Sequence, residues 1–266
     1  MATGGRAQLQ RAVIGRGFEY VRELRGPGLP GVLFRSGSKV VATDVIDARS
    51  SAAPFLAGGL QGLYAEDSSM PHMAVTSFVA IPLERTVPNI LLFGKGIGAL
   101  RRAGVAVGGR QRLSLEGDFD KTFTLYCPEG YERDALEIFT PDLMQLLLDT
   151  TSGCDVELVD DWMFVYSRPG RYATADALDG LVAVTERSRD KVHRQTSRYR
   201  DERSPSASAT VSPAEHAARV GRVAEGGARI KTRASALQVL ITVGSTILLV
   251  VAGARFLFPD LVPWIP

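Results

Sequence analysis

Hydrophobic and polar positions change period several times along this chain. The longest departure is the run Ala236 to Ala254, ALQVLITVGSTILLVVAGA, which is apolar on every side and uncharged. Its 19 residues, at about 1.5 Å each in a helix, reach roughly 28 Å, close to the ~30 Å hydrocarbon core of a bilayer. Leu, Ile and Val dominate it and offset Gln238 and the small hydroxyls. The pattern predicts one transmembrane helix over 236–258, with a short outer tail at 259–266.

Upstream, the periods are those of a folded domain. Leu9, Val13, Phe18, Val21 and Leu24 recur at spacings near three and four ahead of Gly26-Pro27-Gly28, which predicts an N-terminal amphipathic helix within residues 1–30. From Val32 to Phe93 the runs VLF, KVVATDVI, AVTSFVAI and NILLF, separated by Gly, Pro, Ser and Asp, read as strands. RLSLEG and KTFTLYC extend the series. ERDALEIF and PDLMQLLLDT then read as helices, the second with Thr140 as N-cap and Pro141 in its first turn. DVELVD and WMFVYS return to strand through an expected tight turn at Asp160-Asp161. A long polar helix follows from Thr174 to about Arg200, its charged second half expected to protrude into solvent. This order predicts an α+β domain over 31–203: a mostly antiparallel sheet with a few covering helices, plus the C-terminal transmembrane helix. The low-complexity run SPSASATVSP opens an expected flexible basic tether over 204–235.

Charge sharpens this picture. The net charge of +2 hides a segregation: the first 185 residues are acidic on balance, while 186–233 are basic. Arg219, Arg222, Arg229, Lys231 and Arg233 precede the apolar run and Arg255 follows it, with Trp264 at the expected outer interface. Basic residues favour the cytoplasmic side, and each one near an anionic leaflet contributes about 1 kcal/mol. The large domain is therefore expected in the cytoplasm, single-pass at the cytoplasmic membrane, with the lipid bilayer as its first partner. Cys127 and Cys154 are too few for a secreted disulfide framework, and residues 1–30 hold no signal-type apolar stretch.

Candidate chemistry is sparse. Gly94, Gly96 and Ala99 satisfy G-x-G-x-x-A after an apolar run, but Gly104, Gly108 and Gly109 leave no room for the helix a dinucleotide fold requires. Met70-Pro71-His72-Met73 reads as a loop. No nucleophile motif accompanies the three histidines, and no basic, aromatic-interleaved surface points to nucleic acid. No cofactor, metal or catalytic residue is expected.

The densest asymmetry lies over 116–161, which hold 13 acids against only Lys121 and Arg133. Glu132, Asp134 and Glu137 fall in or near a helical first turn, where the helix dipole favours carboxylates. Asp118 and Asp120, read as strand neighbours on one face, could be approached by Asp160 and Asp161. These residues form the expected partner surface, for another protein or for the chain's own basic 214–233 segment. Within the apolar run, Gln238, Thr242, Ser245 and Thr246 share a helical face through which copies could associate.

At FDKTFTLY (Phe119 to Tyr126) and FTPDLMQLL (Phe139 to Leu147) the chain resembles a family of bacterial membrane-anchored proteins of unknown function. Their soluble domain carries a similar F-D-x-x-F-x-V-Y strand and T-P-x-x-M helix start. Members commonly carry their hydrophobic segment ahead of the domain, whereas here it follows. The resemblance implies an α+β domain and a bacterial membrane home, and it supplies no catalytic residue. Together these readings give a membrane-tethered cytosolic domain, expected to act as a noncatalytic binding or scaffold module. The alternatives are an enzyme with an unrecognised site, or a structural component that self-associates through its anchor.

Overall fold

The computed structural model describes residues 3–65, 70–95, 98–115, 117–197, 199–201, 203 and 223–230. The expected transmembrane helix over 236–258 and tail over 259–266 lie outside them. So do Arg219, Arg222, Lys231, Arg233, Arg255 and Trp264. Among the described residues, no helix is long and apolar enough to cross a membrane.

The N-terminal helix α1 (Thr3–Gly15) is shorter than its periodicity implied. Gly15 and Gly17, the latter at φ 75°, stop it, and the chain enters β1 (Glu19–Arg25) where a helix through Leu24 was expected. VLF, expected as a strand, forms the one-turn α2 (Val32–Arg35). An antiparallel meander follows: β2 (Ser38–Asp47), β3 (Leu56–Tyr64) and the 23-residue β4 (His72–Gly94). After α3 (Ala99–Arg102) and a 3-10 turn (Gly109–Gln111) come β5 (Arg112–Leu113), α4 (Asp118–Thr122), β6 (Phe123–Tyr126), α5 (Glu132–Ile138), α6 (Pro141–Thr151), β7 (Asp155–Ser167) and α7 (Ala175–Thr196). A last turn, α8 (Glu225–Ala228), lies within the expected tether.

All pairings in the seven-stranded sheet are antiparallel, in the order β1-β2-β3-β4-β6-β5, with β7 on β4. Since β7 pairs with β4 from Ser77 to Leu92, β3 and β6 share β4's other edge. The register slips where β4 advances from Pro82 to Val87 while β7 moves only from Trp162 to Asp160, and it slips again before Ile90. That bulge accommodates Pro82 and Pro88, which cannot donate to a ladder. It also corrects the expected Asp160-Asp161 turn: β7 runs straight through, with Asp160 at φ 52°.

The bulge reverses which residues face which side. Before it in β7, Val156 and Leu158 face one core while Val159 faces the other; beyond it, Met163 and Val165 take the first side and Phe164 and Tyr166 the second. In β4, Val79 and Ile81 join the first core and Phe78 and Ala80 the second, whereas Ile90 and Leu92 join the first and Leu91 and Phe93 the second. α1, α5, α6 and α7 cover the first face; α2, α3 and Ile230 cover the second.

Two further expectations change. Asp118–Thr122 is helical, so Asp118 and Asp120 are not strand neighbours, and Phe119 enters the core from a helix. The second half of α7 packs instead of protruding, with Val192 and Thr196 buried. Thr174 caps this helix by accepting from Ala177 N (3.2 Å).

Candidate functional site

On the second face, β7 places two carboxylates in the interior. Asp155 accepts from the backbone N–H groups of Gly94 and Leu100 (both 2.8 Å), joining the end of β4 to the first turn of α3. Glu157, fully buried, accepts from Val32 N (2.8 Å) and the Tyr166 hydroxyl (2.9 Å) on Oε2, and from Asn89 Nδ2 (3.2 Å) on Oε1. Burial pushes the Glu157 carboxyl up to about 7, against the opposing pull of these donors and of Arg35. Burial raises Asp155 as well, with the two backbone donors opposing it. Each acid fastens a one-turn helix to the sheet.

Asn89 carries this network to the end of the described chain. Its amide nitrogen donates to Glu157 and to the Leu158 carbonyl (3.0 Å), which leaves Oδ1 aimed at Ile230 N, accepted at 2.9 Å. Ile230 is buried in the second core. Next to it, Arg229 makes a two-pronged ion pair with Asp160, at 2.6 and 2.7 Å. A Cβ on Gly227 would stand 2.3 Å from the Tyr131 ring, so only glycine lets the segment lie this close. The stretch 223–230, expected as tether, is thus held on the domain, and Arg229, expected as an anchor flank, is a residue of its surface.

A second knot joins residues 199–203 to Tyr131, Asp134 and Ala224. Asp201, its side chain fully buried, accepts from Arg203 N (2.9 Å), the Tyr131 hydroxyl (2.9 Å) and Ala224 N (2.7 Å). Arg203 covers the Tyr131 ring at 4.2 Å and pairs with Asp134 at 3.0 Å; Asp134 also accepts from the Tyr199 hydroxyl (2.9 Å). Burial and the Asp134 contact push the Tyr199 phenol far above its usual range.

The remaining acids of the expected partner surface have local duties. Asp118 pairs with Lys121 (2.8 Å) and Glu137 with Arg133 (3.2 Å). Asp120 accepts from Ser114 Oγ and Leu115 N, and Glu132 from Gly130 N (3.1 Å). Asp161 is exposed. The acids do not converge on one site: Asp134 and Asp160 meet the chain's own arginines, while Asp118, Asp120, Glu132 and Glu137 bond along their own helix or loop. Among the described residues, no group of three or more His, Cys, Asp or Glu is arranged to hold a metal ion. Asn89, Glu157 and Asp201 escaped the sequence reading. The alternation of DVELVD looks the same whether its polar side meets water or, as here, a covering layer.

No family model and no curated protein sequence matches the chain. Among solved structures, it is similar to the mycobacterial trehalose monomycolate transport factor A, TtfA, at 11% sequence identity and a TM-score of 0.46, over 71% of this chain and 95% of that one.

Proposed function

We propose that this protein is a membrane-tethered cytosolic domain acting as a noncatalytic binding module at the inner membrane face. The observation that carries the reading is the clasp at Asn89, Asp160, Arg229 and Ile230. The chain is fixed to the domain at Ile230, and the apolar run begins at Ala236. Only residues 231–235 intervene, and at about 3.3–3.6 Å each they reach no more than ~18 Å. A domain fastened this near to a membrane-spanning run would sit against the bilayer with its second face and its Asp160 bulge turned towards it. Lys231 and Arg233, within or next to that short link, suit an anionic leaflet. Proximity of this kind serves recruitment, because it confines whatever the domain binds to the membrane surface.

The test is in-cell crosslinking and membrane pull-down of the full-length protein beside a version ending at Ser235, with bound proteins identified by mass spectrometry. Full-length protein is expected in the membrane fraction with a reproducible partner that is lost on truncation. Full-length protein in the soluble fraction, or equal recovery of partners by both versions, overturns the reading.

A further inference from the structure

The first face of the sheet is not filled. Between α6, α7 and the strands lies a cavity of about 250 Å³, bounded by Val79, Ile81, Met163 and Val165 below and by Leu146 and Leu181 above. Apolar cavities of ~150 Å³ stay dry and take up benzene, so this one exceeds the size at which hydrophobic ligands bind. Three threonines in the wall add no polarity. Thr150 and Thr151 donate to the carbonyls of Leu146 and Leu147, and Thr185 to that of Leu181, so each hydroxyl is satisfied within its own helix.

Shape and ends narrow the ligand further. The lining follows α7 from Ala177 through Leu181 and Thr185 to Val192, fifteen residues along, or roughly 22 Å at about 1.5 Å per residue. The space is therefore elongated, which suits a chain better than a ring. It reaches the surface along the start of α7, where Gly180 is exposed and contributes no side chain to the rim. No neighbour demands that glycine, since a Cβ there would meet nothing within 4 Å. Arg171 is the one charged side chain in the lining. Its guanidinium meets the Cys154 thiol (3.1 Å) and the Tyr172 ring face (6.0 Å), and no carboxylate among the described residues.

We infer that this cavity binds a single hydrocarbon chain carrying an anionic head, the chain beneath α7 and the head at Arg171. The inference rests on the binding-module reading for its biological setting, while its geometry stands on the cavity alone. A bound chain would restore the contacts that the wall of an empty space forfeits. It would also give the module a ligand drawn from the membrane beside it.

The test is photocrosslinking of full-length protein, with a diazirine-bearing fatty acid in one arm and vesicles of phospholipid with the same group on one acyl chain in the other. Labelled peptides are located by mass spectrometry. Label is expected within residues 141–151 and 175–196, competed by excess unlabelled fatty acid and reduced at least fivefold by Gly180→Leu with Val184→Phe, two α7 positions that line the space. Arg171→Gln should weaken labelling by the acid and leave that by its methyl ester unchanged. Labelling in the first arm alone assigns a free acid, and in the second a lipid tail; either supports the site. Label confined to 236–258 in both arms, or unaffected by competition, overturns it. Absence of label at 236–258 together with soluble fractionation instead defeats the membrane reading, while the cavity is still judged by its own peptides.

Discussion

On the face covered by α1, α5, α6 and α7, β7 presents Val156 and Leu158, and the layer above leaves an apolar space. On the face covered by α2, α3 and Ile230, the same strand presents Asp155 and Glu157, and every oxygen of these two carboxylates has a donor. The difference follows from what does the covering. Long helices satisfy their own backbones and can lie on a sheet through side chains alone. One-turn helices expose N–H groups that must find acceptors, and β7 supplies them as the buried Asp155 and Glu157, while Asn89 of β4 accepts from Ile230 N. The helical layer is held by area and tolerates a void. The thin layer is held by directed bonds and tolerates little.

That contrast can be broken from either side. The largest effect is expected for Glu157→Ala, which leaves Val32 N, the Tyr166 hydroxyl and Asn89 Nδ2 without their acceptor. Three orphaned donors should cost about 3–5 kcal/mol at neutral pH, read as the shift in denaturation midpoint of the full-length protein. An effect below ~1 kcal/mol would mean that the acid is not what fastens α2.

Next comes pH. The folded Glu157 holds its proton up to about 7, above the value of 4.5 for a free side chain. A carboxyl with a raised folded-state pKa stabilises the fold at low pH and loses that contribution as pH rises through the folded value. Stability should therefore fall between about pH 4.5 and 7, by about 3 kcal/mol, and then level off. The raised Asp155 adds to the fall with the same sign. Glu157→Gln is expected to flatten the profile, and an unchanged slope would assign the pH dependence elsewhere.

Smaller is Arg229→Ala, which removes a half-exposed ion pair with Asp160 and should cost roughly 1–2 kcal/mol. Its clearer signature is local: limited proteolysis should cut near residues 223–230 well before the domain unfolds. The smallest change has the opposite sign. Gly180→Ala, on the helical face with open space around it, should stabilise α7 by about 0.5–1 kcal/mol, seen as a modest rise in Tm.

The sequence made the two layers unequally legible. α5, α6 and most of α7 follow from local periodicity and from the Thr140-Pro141 and Thr174 starts, because a helix satisfies itself within a few residues. β-branched runs located β2 and the two ends of β4. Their continuity was hidden by Pro82 and Pro88, which argue against a central strand unless a bulge absorbs them, and that bulge depends on β7 from far along the chain. The thin layer was hardest to read. VLF becomes a helix because Glu157 accepts from Val32 N across more than a hundred residues of sequence. Arg229 looked like one more cation ahead of an apolar run, and only the fold brings Asp160 within reach of it.

One consequence belongs to the knot at Asp201. Because that carboxylate holds Arg203 N and Ala224 N at once, residues 204–222 begin and end at the same place on the domain. Sequence added within 204–222 need not disturb either bond, because both are made by residues outside that interval. Closure entropy grows slowly with length, so doubling a flexible connection between fixed ends costs only about 0.6 kcal/mol. A fluorescent reporter inserted there should leave the denaturation midpoint nearly unchanged, whereas five residues added after Ile230 would, on the proposed membrane reading, double the reach of the link to the apolar run. The molecule thus has a place to accept new sequence and, a few residues later, a place where every residue counts.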